Sequence, residues 1–186
     1  MITIRYKVIA FAALVLLATA AVTVAQTRFD EEQISKPHVV KKVRKELVTL
    51  PFYGVFDNLG YKVEGSTVTL YGEVVRPITR SDAEKRVSRI AGVQRVVNNI
   101  EVLPLSSFDD SIRVRTFRTI FRTAGLYRYA LGANPSIHII VNRGHLKLEG
   151  VVANNMDRQL AYFSARQVFG VFSVTNNLRT DAEIAR

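Results

Sequence analysis

One stretch of this chain is written twice. At an offset of 78 positions, the distance from Gly72 to Gly150, eleven residues recur without a gap. Val63, Leu70, Gly72, Val74, Arg80, Ala83, Gly92, Val93, Val96, Asn98 and Asn99 fall on Val141, Leu148, Gly150, Val152, Arg158, Ala161, Gly170, Val171, Val174, Asn176 and Asn177. The matched residues are glycines, asparagines and alternating aliphatics, which set turns and core faces rather than perform chemistry. Two copies are too few for a solenoid, so the 186 residues divide into two tandem small domains, each leaning on its neighbour.

The text around the copies gives the boundaries. Met1 to Lys7 is a short basic region, Val8 to Ala21 is apolar apart from Thr19, and Thr23-Val24-Ala25 offers small residues for cleavage. Residues 1–25 therefore read as an export signal peptide, or, uncleaved, as an N-terminal anchor, since Val8 to Ala25 approaches the roughly 18 residues that span a bilayer. A flexible lead-in at 26–33, a first domain at 34–103, a linker at 104–110, a second domain at 111–181 and a tail at 182–186 complete the division. Export puts both domains in the periplasm or cell envelope.

That location decides what the charge means. The formal net charge is +10, of which Arg5 and Lys7 in the leader supply two. Such a surface seeks anions, and outside the cytoplasm those are lipid headgroups or acidic polymer rather than nucleic acid. The chain has no Cys, which removes disulfides, thiolate nucleophiles and a lipidation cysteine, and its three His are too scattered for a metal site. No nucleophile elbow or P-loop occurs, so the reading is of a non-enzyme with no cofactor.

Each copy spells the same order of elements. Ser35 caps a helix over Lys36 to Thr49 with Val40, Val43, Leu47 and Leu50 on one side, and Pro51 ends it. The aromatic connection Phe52-Tyr53-Gly54-Val55-Phe56 follows. Leu59, Tyr61 and Val63 alternate as one strand and Val68, Leu70 and Val74 as the next, across a Gly65-Ser66 turn. Ser81 and Glu84 form a capping box, Ala83, Val87, Ile90 and Ala91 make a stripe, and Gly92 suits a left-handed cap before a strand from Val93 to Leu103. The second copy opens with a helix over Ser111 to Thr123, apolar at Ile112, Val114, Phe117, Ile120, Phe121 and Ala124, followed by Leu126 to Leu131. Ile137, Ile139 and Val141 pair with Leu146, Leu148 and Val152 across Arg143-Gly144. Ala161, Ala165 and Val168 repeat the stripe, Gly170 repeats the cap, and a last strand runs through Val171, Val174 and Leu178. The fold class is α+β: two α-β-β-α-β domains, each a three-stranded mixed sheet covered on one face by two helices. Gly65, Gly72, Gly92, Gly144, Gly150 and Gly170 are its turn and cap residues.

Val68-Thr69-Leu70-Tyr71-Gly72-Glu73-Val74, then Gly92-Val93, then Val96-Val97-Asn98-Asn99-Ile100 resembles the BON domain (bacterial osmotically induced and nodulation family). Leu146 to Val152, Gly170-Val171 and Val174 to Leu178 repeat the resemblance. It implies an α-β-β-α-β fold, an exported envelope location and a role in binding phospholipid or tethering proteins to membranes, with no catalytic residues.

The residues themselves single out the second copy's first helix and its sequel. Arg115, Arg118 and Arg122 form a basic face leading into Leu126, Tyr127, Arg128 and Tyr129, a combination suited to phosphates and to rings at headgroup depth. Lys41, Lys42 and Lys45, with Arg44, make a similar patch on the first helix, less selective because lysines meet phosphate as point charges. The same arginine face is also what any solvated helix covering a sheet displays. Asn98-Asn99 and Asn176-Asn177 read as backbone-bonding pairs at a strand edge. The expectation is association with anionic phospholipid surfaces through basic amphipathic helices. The alternative is a protein-interaction or scaffolding module that docks an envelope protein partner on its sheet faces or edges.

Overall fold

The computed structural model describes residues 36–132 and 134–184. The expectations for the leader and lead-in lie outside the described residues. Helix α1 (Lys36–Val48) buries Val39, Val43 and Leu47, a spacing of four that brings one face onto the sheet. Strands β1 (Asn58–Glu64) and β2 (Thr67–Val74) form an antiparallel hairpin in which Tyr61 faces Leu70 and Val63 faces Val68. Helix α2 (Pro77–Ser88) then crosses over to β3 (Arg95–Val102), which pairs with β2 in parallel. The second unit repeats this with α3 (Ser107–Arg122), a 3-10 turn at Tyr127–Ala130, β4 (Ile137–Asn142), β5 (His145–Val152), α4 (Asn155–Arg166) and β6 (Ser173–Thr180). A short helix α5 (Asp181–Ile184) closes it. The middle strand of each sheet is the second of its hairpin, β2 in one and β5 in the other.

Each unit has its own core. Val43, Val68, Leu70, Val74, Ala83 and Val87 lie at the centre of the first, and Ile112, Ile120, Ile137, Ile139, Leu146, Leu148 and Ala161 at the centre of the second. The repeated glycines sit where the hairpins leave no room for a side chain. Gly72 has φ +116 and Gly150 φ +117, and a Cβ on either would lie 2.0 Å from a carbonyl oxygen, of Asn58 and of Ser136 respectively. The repeated asparagines tie sheet to helix. Asn98 donates from Nδ2 to the Arg80 carbonyl at 3.2 Å and accepts from the Ile100 amide, and Asn176 does the same with Arg158 and Leu178.

Several boundaries differ from the sequence expectations. Helix α2 begins a turn before the capping box: Pro77 occupies its first turn, and Ser81 lies inside the helix with its hydroxyl donating to the Pro77 carbonyl. Proline needs no amide partner there and its fixed φ starts the helix early. Gly92 and Gly170 have left-handed φ of +91 and +92, but the helix caps are Arg89 and Gln167, so these glycines turn the chain toward β3 and β6 instead. Helix α3 starts at Ser107 because the Ser106 hydroxyl caps it, accepting from the Asp109 amide at 3.1 Å. Most of the stretch read as linker, 104–110, is thus its first turn. Val114 and Ala124, read as core, are exposed, and residues 181–184, at the start of the stretch read as a tail, are helical.

The aromatic connection of the first unit joins the two halves. The Ile139 amide donates to the Val55 carbonyl at 2.8 Å, Tyr53 stacks against His138 with centroids 5.5 Å apart, and Phe56 meets Phe117 edge-on at 6.3 Å. Asp57 holds the connection by accepting from the Gly54 and Val75 amides at 3.0 and 2.7 Å. Lys147 on β5 pairs with Glu73 on β2, and the Asn134 side chain donates to the Val48 carbonyl at 2.6 Å.

Candidate functional site

Helix α3 is two-faced. Asp109, Ile112, Arg113, Thr116 and Ile120 are buried against the second sheet. At about 100° per residue, Phe108, Ser111, Arg115, Arg118 and Arg122 stay within a sector about 80° wide on the other side. Phe108, Ser111, Arg118 and Arg122 are exposed and Arg115 is half-buried. Arg118 and Arg122 have no carboxylate partner among the described residues, so they form a cationic stripe with an aromatic ring at its N-terminal end.

The sequel to the helix divides. Tyr127 is 62% exposed, whereas Leu126 is fully buried and Tyr129 nearly so. The Tyr129 hydroxyl donates to Asp157 and accepts from the Ala153 amide at 2.9 Å. Arg128 also pairs with Asp157, its guanidinium 5.0 Å from the Tyr129 ring centroid. It also donates to the Tyr129 hydroxyl at 3.2 Å, and these hydrogen bonds, that to Tyr129 first and that to Asp157 second, raise its pKa above its usual value. Leu126 and Tyr129, expected at a lipid surface, are core instead, because the 3-10 turn rolls their side chains inward and leaves Tyr127 outside. Arg128 serves the fold first.

The lysine patch on α1 borders a groove that also holds an acidic residue. Lys41, Lys42 and Lys45 are all exposed. Lys42 and Lys45 line a groove of about 580 Å³ with Arg86 and Arg89, while Lys41 lies outside it. Glu46 sits in the same groove, 3.4 Å from Arg86, and offsets part of the charge.

Sequence reasoning missed Arg113 and Asp109. Arg113 is only 2% exposed and donates to the Val141 carbonyl at 2.6 Å while pairing with Asp110. Buried Asp109 accepts from the Arg143 and Gly144 amides at 2.9 and 2.8 Å, holding a turn in which both residues have positive φ. The signal for Arg113 was its register, three before Thr116 and seven before Ile120 on the core side. Also missed were Phe108, Phe169 and Phe172, which gather where α3, the β4–β5 turn and the α4–β6 loop meet.

His138 lies half-buried beneath Tyr53, and burial lowers its pKa below the usual 6.5 against the opposing pull of the Gly54 and Asp57 carbonyls and the Asp57 charge. Burial raises Asp57 above its usual 3.8, although the Val75 and Gly54 amides oppose it, and pushes the Tyr53 hydroxyl up to about 12. Among the described residues no three His, Asp or Glu side chains gather as metal ligands, and no helix is long and apolar enough to cross a membrane.

No curated protein matches this chain. Among solved structures it is similar to CdsD, a structural protein of the type III secretion system of Chlamydia trachomatis, at 10% identity and TM-score 0.30, covering 79% of this chain and 95% of that one. It is also similar to the CdsD C-terminal domain, at 11% identity and TM-score 0.29, covering 77% and 98%. Both likenesses are too distant to bear on function. The profile of the BON domain matches residues 38–104 and 127–182, one region in each unit. Those two regions take in well over half of the sequence, and the chain belongs to the BON domain family.

Proposed function

We propose that this is an exported, non-catalytic protein of the cell envelope that associates with anionic phospholipid surfaces, chiefly through α3 of the second unit. The observation that carries this reading is the stripe of Arg115, Arg118 and Arg122, opposite a face fully committed to the core. Guanidinium groups pair with phosphates as planar forks, and each near-surface Arg contributes on the order of 1 kcal/mol on an anionic bilayer. Tyr127, exposed beyond the end of the helix, adds a ring suited to headgroup depth.

The second reading is docking of an envelope protein on the strands, and its support is that β3 and β6 are the outer strands of their sheets. Co-sedimentation with vesicles separates the two. Binding that appears with phosphatidylglycerol and is absent with phosphatidylcholine alone supports the lipid reading. Absence of binding to either, with cross-links from β3 or β6 to a protein in intact envelopes, supports docking.

A further inference from the structure

One end of the second unit carries three aromatic rings that the core does not use. Phe169 is 84% exposed, Phe172 71% and Phe108 44%. They come from separate elements: Phe108 from the first turn of α3, and Phe169 and Phe172 from the loop between α4 and β6. The Phe108 and Phe172 rings lie 6.0 Å apart. The Phe172 amide donates to the Gly144 carbonyl at 2.9 Å, and its ring covers Gly144 so closely that a Cβ there would stand 2.6 Å from it. Gly170 faces Phe108 and Arg115 in the same way, at 3.4 and 3.3 Å. The Phe108 and Phe172 rings are therefore held in place while their outer surfaces stay in water, and Phe169, next to Gly170, is almost wholly in water.

The duplicated scaffold supplies an internal control. At the offset that matches Gly92 to Gly170, Phe169 corresponds to Ala91, Phe172 to Gln94 and Arg143 to Gly65. The first unit makes the same turns with these smaller residues, so the fold does not need aromatics here. Exposed apolar rings gathered at one place mark a surface that meets something. Arg115 and Arg143 flank the rings, neither with a carboxylate partner among the described residues. Asp109 nearby is buried and committed to the Arg143 and Gly144 amides, and Asp110 is paired with Arg113. The end is thus apolar at its tip and cationic around it, complementary to an anionic headgroup layer over hydrocarbon. It is also continuous with the arginine stripe, since Phe108 stands on the same side of α3 as Arg115, Arg118 and Arg122.

We propose that Phe108, Phe169 and Phe172 form an insertion tip that enters the acyl boundary of an anionic phospholipid bilayer while Arg115 and Arg143 hold its phosphates. This rests on the lipid reading above and adds to it a depth: the arginine stripe of α3 lies along the headgroups, and the rings at its N-terminal end reach below them. The β4–β5 turn and the α4–β6 loop are then membrane contacts.

The chain has no Trp, so Phe172→Trp places a single indole at the tip. The test titrates this full-length variant with phosphatidylglycerol/phosphatidylcholine vesicles, with phosphatidylcholine vesicles as the control for binding through the N-terminal apolar segment. In parallel, the double variant F169A/F172Q, which installs the first unit's own residues, is compared with wild type by co-sedimentation. The expected result is a blue shift of the indole emission on anionic vesicles and a loss of about tenfold or more in affinity for the double variant. Wild-type binding to anionic vesicles with an unshifted indole overturns the insertion tip and leaves the arginine stripe standing, as does full affinity in F169A/F172Q. Failure of the wild type to bind anionic vesicles more than neutral ones overturns both.

Discussion

The Ile139 amide donates to the Val55 carbonyl at 2.8 Å, so the connection after α1 supplies a rung to the edge strand of the other unit. Edge strands present unpaired amides, and here one is satisfied within the chain. Val55 and Phe56 also pack against the second core, which makes the first unit part of the second unit's boundary.

Shortening Phe56 therefore reaches across the junction. Phe56→Ala removes the edge-on contact with Phe117 and opens a gap at the second core, with a cost of about 2 kcal/mol. Urea unfolding followed by tyrosine fluorescence and circular dichroism checks it. The variant shows a lower midpoint and separated transitions for the two units, and an unchanged single midpoint contradicts the coupling.

The junction is also the acid-sensitive place. His138 is held below the usual 6.5, so the unfolded chain binds this proton more tightly than the folded one. The stability tied to neutral His138 is present above pH 6.5 and is lost as pH falls from there through the folded value. Asp57 runs the other way: its raised carboxyl takes up a proton first in the folded state, so stability is regained as pH falls from that folded value toward 3.8. Melting temperature falls by a few degrees on mild acidification below pH 6.5, and His138→Gln flattens that slope. Equal slopes in both proteins contradict the assignment.

The paired glycines test whether the copies are mechanically equivalent. Gly72→Ala and Gly150→Ala each force a Cβ to 2.0 Å from a carbonyl at a φ that alanine resists. Each costs roughly 3 kcal/mol or more. Amide exchange locates the damage in the mutated unit in both cases, and tolerance of either substitution contradicts the close approach.

How much of this was written in the residues varies with the length scale that sets it. The hairpins and crossovers were legible because alternation at Val68, Leu70 and Val74, and again at Leu146, Leu148 and Val152, leaves one face to bury. The start of α2 was misplaced because two N-terminal signals, Pro77 and the Ser81–Glu84 pair, lie four residues apart, and nearness to the end of β2 decides between them. Arg115, Arg118 and Arg122 were legible as one face from their spacing. The inward turn of Tyr129 was not, since Asp157, far along the chain, accepts its hydroxyl. The aromatic end was visible only as a departure from the repeat, at Phe169 and Phe172, where periodic patterning has nothing to say.

The central claim is that the α3 arginines, rather than basic charge in general, hold the protein on an anionic bilayer. Arg118 and Arg122 are exposed and make no contact the fold requires, so reversing them leaves the core intact. The most direct measurement is co-sedimentation of R118E/R122E with phosphatidylglycerol-containing vesicles at 0.1 M salt, beside K41E/K45E on α1 as a variant of equal charge change. The account predicts a loss of at least tenfold for R118E/R122E and a clearly smaller loss for K41E/K45E. Equal losses, or binding that R118E/R122E leaves unchanged, would contradict it.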